Sequence, residues 1–205
     1  MIEGIAPLYR LKEQPRQGWR LRGVADPESV ADHSWGTALL CTVFAEQAGV
    51  DRGRAVEIAL VHDLAEAITG DVPTRVATMN DDRVIADKRA SERAAMETLT
   101  RTLDPATRLR VTALWREYEE RASAEALFVR DMNLIDMLLQ AYVYEADRRY
   151  DEDCTTHFDD YAGMDEFFAT SVARIATPIG GTLYDEVARA YASLPAVVGR
   201  GGFRV

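Results

Sequence analysis

The chain has 205 residues, 47% apolar and 28% charged, a size and balance that suit one folded domain (1–205) with a buried core and exclude a disordered polymer. Its net charge of −10 argues against nucleic-acid polymers and anionic membranes as partners, because both repel it, yet a small anion can still be held by a metal or a few arginines. The longest nearly unbroken apolar stretch, residues 37–45, is far short of the ~20 residues that cross a bilayer.

The opening residues, Met1 to Arg10, lack the basic start and apolar run of a secretory signal, so a cytoplasmic protein is expected. Apolar residues recur every three or four positions between widely spaced prolines, which predicts helices at 2–14, 28–48, 52–69, 78–101, 105–120, 122–149, 158–176 and 181–193. No stretch alternates apolar and polar residues between hairpin turns, so the expected fold class is all-α. Between the first two helices lie Arg16, Trp19 and Arg22. The 28–48 helix opens at Pro27-Glu28-Ser29, where a serine can cap it, and carries His33 with Thr37, Leu40 and Phe44 at helical spacing. The 52–69 helix places His62, Asp63 and Glu66 on one face between Val56, Ala59, Leu60, Leu64 and Ala67, and it ends at Thr69-Gly70-Asp71-Val72-Pro73. Dense mixed charge around 80–101 and 115–122 reads as solvated helix surface. Cys41 and Cys154 have neither metal nor redox spacing and read as free thiols, while His157, in an acidic segment, reads as a surface residue.

Three ionisable groups on an apolar helix cost several kcal/mol to bury unless a cation or an internal network satisfies them. A His-Asp dipeptide alone is more often such a network. Packing the His33 helix against His62-Asp63, however, gathers two imidazoles and a carboxylate, a reasonable shell for a divalent transition metal.

Several linked segments, in order, resemble the HD-domain phosphohydrolases and, within them, the 5'-deoxynucleotidase subgroup. They are Pro15-Arg16-Gln17-Gly18-Trp19, Pro27-Glu28-Ser29-Val30-Ala31-Asp32-His33-Ser34, Ala59-Leu60-Val61-His62-Asp63-Leu64-Ala65-Glu66, Thr69-Gly70-Asp71, and Leu114-Trp115-Arg116-Glu117-Tyr118-Glu119 with Ser123-Ala124-Glu125. The resemblance runs from Leu11 to Glu145 and implies an HD-domain helical bundle in which His33, His62 and Asp63 hold one divalent metal. Cobalt or manganese is expected first, with zinc, iron or magnesium as alternatives.

The same resemblance implies that Glu66 is the catalytic glutamate, moving protons between the attacking water and the leaving 5'-oxygen, and that Asp71 belongs to the substrate pocket. It makes Arg16 and Arg22 candidates for binding phosphate, and Trp19 a wall of the sugar pocket. The family's last aspartate ligand falls on Asn133, whose amide oxygen can coordinate but carries no charge. Asp136, one turn on, is the alternative, directly or through water; Asp131 points away from Asn133 on a helix.

The expected reaction is metal-dependent release of phosphate from nucleoside or deoxynucleoside 5'-monophosphates, small molecules rather than polymers. The alternatives are a catalytically weakened protein that binds a nucleotide or a partner, and a phosphatase or triphosphohydrolase for a specialised nucleotide. Dinuclear HD enzymes need at least two further histidines, and of the three here only His157 is left. The resemblance also implies a homodimer, for which the apolar helix around Leu183 to Leu194 offers a surface.

Overall fold

A computed structural model describes residues 2–151 and 161–203. His157, Cys154 and the beginning of the predicted 158–176 helix lie outside the described residues. Among those residues the chain is helical, with a single bridge between Pro15 and Ser29 as its only strand-like pairing. No helix among them is long and apolar enough to cross a membrane.

The expected first helix divides into α1 (Ile2–Ile5) and a 3-10 helix (Ala6–Lys12), where Pro7 has no N–H to continue an α-helical ladder. A short unpredicted helix, α2 (Gln17–Leu21), follows. Helix α3 (Val30–Ala48) begins on a capping box, with the Ser29 side chain accepting from the Asp32 N–H and Asp32 reaching back to the Ser29 N–H. It stops at Gly49, whose φ of 69° suits a residue without Cβ.

The predicted 52–69 helix is two helices, α4 (Arg52–Val61) and α5 (Glu66–Thr69). Between them the bonds tighten to i→i−3, from Leu64 N to Val61 O (3.3 Å), Glu66 N to Asp63 O (3.0 Å) and Ala67 N to Leu64 O (3.2 Å). Here the Ala59 carbonyl accepts from the His62 ring, a side-chain competitor for the backbone ladder.

Helices α6 (Asp82–Thr100), α7 (Pro105–Glu120) and α8 (Ala124–Ala146) lie close to their expected bounds, each started by an Asp or Ser cap: Asp81, Asp104 and Ser123. Helix α9 (Asp165–Val172) is shorter than predicted, α10 (Pro178–Ala192) begins at a proline in its first turn, and α11 (Pro195–Gly199) was not predicted.

Helix α8 is the axis of the molecule. Its Phe128, Val129, Met132, Ile135, Leu138 and Ala141 are fully buried between α3, α4 and α10. Each large apolar side chain so buried contributes ~1.5–3 kcal/mol. Leu183, Val187, Tyr191 and Leu194 join this core, which corrects the expectation that the α10 region offers an apolar surface to a second chain. Near the end of α8, the buried Glu145 accepts from Tyr150 Oη (2.8 Å), Tyr191 Oη (2.8 Å), Met164 N (2.9 Å) and Arg200 Nη1 (2.5 Å). That network ties the C-terminal helices to α8. The packing brings the first turn of α3 against the α4–α5 turn and the middle of α8, and the last two help to line one cavity.

Candidate active site

His62 Nδ1 lies 2.6 Å from the Ala59 carbonyl, which can only accept, so Nδ1 carries the proton and Nε2 carries the lone pair. On α3, His33 Nδ1 is 2.6 Å from Asp136 Oδ2 of α8. With the shared proton on Nδ1, the His33 ring likewise turns an Nε2 lone pair inward. Burial holds His33 well below its usual range, at about 3, with the nearby Arg16 charge adding to the effect. Its ring is therefore neutral at neutral pH and able to ligate.

The two Nε2 atoms lie 3.7 Å (His33) and 3.2 Å (His62) from Asp63 Oδ2. All three atoms are buried without a hydrogen-bond partner. Three electron-pair donors within 4.8 Å of one another, with no proton between them, repel unless a cation joins them. His33, His62 and Asp63 therefore fit a divalent metal.

Glu66 stands at the start of α5, and its Oε2 is also buried and unpartnered. Burial, reinforced by the charges of Asp63 and Asp71, pushes its carboxyl well above the usual range. Such a carboxyl holds a proton more readily than an ordinary glutamate does.

Arg16 Nη1 is 3.4 Å from Asp71 Oδ1 and 3.6 Å from Asp63 Oδ2. Despite its burial, the Asp71 and Asp63 carboxylates hold this guanidinium above its usual value. The other Asp71 oxygen accepts from the Gln17 N–H at the head of α2, so Asp71 fixes the Arg16 segment as well as lining the cavity. Trp19 is buried, donates Nε1 to Glu28 Oε1 (2.9 Å) and lies tilted over Phe167 with ring centres 4.1 Å apart.

Arg22 departs from expectation. It caps the end of α2, is buried beside the Tyr150 ring (5.7 Å) and does not line the cavity, because α2 turns it to the opposite side from Arg16.

Asn133 lines the cavity and donates Nδ2 to Tyr118 Oη (2.8 Å), which leaves the amide oxygen as its acceptor. Asp136 engages the His33 nitrogen that faces away from Asp63, so it backs His33 instead of joining the His33, His62 and Asp63 cluster. Asp131 is committed elsewhere, accepting from Thr177 Oγ1 (2.6 Å) and Thr177 N (2.7 Å) at the start of α10.

The cavity has a volume of about 390 Å³, the size of a small-molecule site. Its wall includes residues for which no role was expected: Tyr118, Phe167, Arg121, Arg130 and Arg174. Tyr118 lay inside the Leu114–Glu119 motif, and Arg130 lies one turn before Asn133; these were the available signals.

A helical bundle that gathers His, His-Asp and a buried glutamate beside one pocket defines the class of metal-dependent phosphohydrolases with an HD centre. An HD-domain family model matches residues 8–174, and the chain belongs to that family. It is 40% identical over 145 residues to the 5'-deoxynucleotidase HDDC2 of Xenopus laevis, an alignment covering 71% of this chain and 69% of that protein. Its fold is similar to that of the PH0347 protein from Pyrococcus horikoshii OT3, with a TM-score of 0.66 and 33% identity over 93% of this chain and 98% of that one. A predicted metal-dependent phosphohydrolase from Magnetospirillum magnetotacticum MS-1 superposes with a TM-score of 0.65 at 26% identity, over 93% of this chain and 92% of that one.

Proposed function

We propose that the protein releases phosphate from nucleoside 5'-monophosphates, deoxynucleotides foremost, using one divalent metal held by His33, His62 and Asp63 with Asn133 completing the set. The observation that carries this reading is the convergence of His33 Nε2, His62 Nε2 and Asp63 Oδ2, none of them hydrogen-bonded, with Glu66 Oε2 likewise buried without a hydrogen bond. Likeness to the deoxynucleotidase relatives supports the substrate class. Cobalt or manganese suits the mixed nitrogen and oxygen donors.

When bound, the ion polarises phosphate oxygens and acidifies water. Glu66 takes the proton of the attacking water as its oxygen bonds to phosphorus, then returns that proton to the 5'-oxygen as the phosphorus–oxygen bond to the sugar breaks. Asp71 holds Arg16 at the edge of the cluster, and Trp19, stacked on Phe167, walls the sugar side. One domain, spanning 1–205, carries the whole reaction, and the cytoplasm, where free nucleotides are abundant, is its place of action.

The test is phosphate release from a panel of nucleoside mono- and triphosphates by metal-stripped protein resupplied with cobalt, manganese, magnesium or zinc. Turnover of deoxynucleoside monophosphates with cobalt or manganese is expected; no metal-dependent release from any of them would overturn the reading. Asn133→Asp should tighten metal binding by ~10-fold or more, measured by chelator competition, because a carboxylate adds a charge that the amide lacks. Activity confined to that variant would instead favour a catalytically weakened, nucleotide-binding protein.

We also infer a homodimer, through α3 and α8 rather than the C-terminal helices. Trp35 (67% exposed), Leu39 and Val43 form an outward stripe on α3, and Leu139 and Val143 are exposed on α8 packed beside it. Light scattering should give twice the 22.8 kDa chain mass, and Trp35→Glu should halve it. A monomeric wild type would refute the pairing.

A further inference from the structure

Although the chain is strongly acidic, Arg121, Arg130 and Arg174 line one cavity, and among the described residues none of the three lies in an ion pair with a carboxylate. Several arginines elsewhere are matched: Arg54 with Glu117, Arg110 with Glu57, Arg75 with Glu166 and Arg200 with Glu145. Inside the cavity Arg16 Nη1 faces Asp71 and Asp63, and Lys88 faces Glu92 at 3.6 Å, while Arg89 also lines the wall and adds its charge to that acting on Arg121.

The three unmatched guanidinium groups sit close enough to oppose one another. Arg130 depresses Arg121 below its usual value, and it reinforces the effect of burial on Arg174. Arg121 also occupies a left-handed turn (φ 53°) at the end of α7, a conformation that favours glycine. Grouped like charges cost free energy that an anion in the cavity would recover.

The cluster is near the reaction centre. Arg130 Cζ lies 5.1 Å from the Tyr118 ring centre, and that ring is 5.1 Å from the His62 ring. Guanidinium forks are suited to phosphate oxygens.

We propose that Arg121, Arg130 and Arg174 form a phosphate-binding subsite on the Tyr118 side of the cavity, separate from Arg16, whose Nη1 faces Asp71 and Asp63. Naming that group as part of a nucleotide rests on the function proposed above; binding of phosphate itself does not. The group is either the reacting 5'-phosphate or a second phosphate on the same nucleotide.

The experiment is titration of inorganic phosphate into the metal-stripped protein by calorimetry, for the wild type, Arg130→Gln, Arg174→Gln and a surface control, Arg110→Gln. Phosphate should bind the wild type and the control alike, and about tenfold more weakly to either cavity variant. Arg130→Lys, which keeps the charge and guards against a variant that fails to fold, should retain most of the binding. Equal affinity in all variants, or no binding to the wild type, would overturn the subsite.

Steady-state kinetics then separate the two sources. A higher KM for monophosphates in Arg130→Gln, with kcat little changed, assigns the cluster to the reacting phosphate. A higher KM only for 3',5'-bisphosphates or triphosphates assigns it to a second one. Arginine-dependent phosphate binding without any turnover would sink the hydrolase reading and leave the subsite standing; turnover with arginine-independent phosphate binding would do the reverse.

Discussion

Glu66→Gln is expected to lower kcat by roughly 10²–10⁴-fold while leaving metal binding unchanged, the range that a positioned general acid–base contributes. Glutamine keeps the shape of a buried side chain at the start of α5 but cannot take a proton from water. The same substitution should raise the thermal stability of the metal-free protein at neutral pH. Burial and the charges of Asp63 and Asp71 raise the Glu66 carboxyl in the folded state, so the fold binds this proton more tightly than the unfolded chain does. Stability is therefore lost as pH rises from the ordinary glutamate range through the raised value, and the neutral amide escapes that loss. Loss of turnover together with a higher Tm marks a group kept for chemistry at the expense of stability. A variant within tenfold of wild-type kcat would remove Glu66 from the proton path.

Gly36→Ala is expected to weaken metal binding by ~10–100-fold without touching a ligand, the usual cost of losing the partner behind one. A Cβ at Gly36 would stand 1.9 Å from Asp136 Oδ1 and 2.8 Å from its Cγ, so the carboxylate must move. Asp136 is what holds the His33 ring by Nδ1 at 2.6 Å, and displacing it frees that ring to turn. Gly181→Ala, on α10 with no heavy atom within 4 Å of the added carbon, is the matched control and should gain ~0.5–1 kcal/mol from lower chain entropy. Chelator competition and thermal melts of the two variants check both halves. Unchanged metal affinity in Gly36→Ala would show that Asp136 does not position His33.

Much of the bundle could be read in advance because its boundaries are local. The Ser29 cap with Asp32, Pro105 in the first turn of α7 and the Ser123 cap of α8 are short-range chemistry, and the helices they begin lie close to their expected bounds. His33 and His62-Asp63 could be paired because helix-on-helix packing was the simplest way to satisfy them.

What escaped depends on side chains acting at a distance or against the ladder. The break after Val61 accompanies an imidazole bonded to a carbonyl three residues back, which leaves no mark on apolar periodicity. The burial of Arg22 and the meeting of Arg121, Arg130 and Arg174 follow from tertiary packing, which residue spacing along one helix does not contain. The amphipathic pattern around Leu183 to Leu194 was correctly seen but given the wrong partner, since the α8 core covers it and the exposed apolar stripe lies on α3.

The three residues proposed to hold the metal differ in how they are supported. His62 and Asp63 are neighbours oriented by a bond within their own turn, whereas His33 reaches them only when α3 has docked on α8 and Asp136 has caught its ring. The first two donors belong to one turn, and the third joins them only through the packing of α3 on α8. An ion that needs all three acts as a clasp on the docked state, adding ~2.7 kcal/mol of resistance to unfolding when free ion stands a hundredfold above its Kd. The lifetime of the protein in a cell would then follow the supply of its metal.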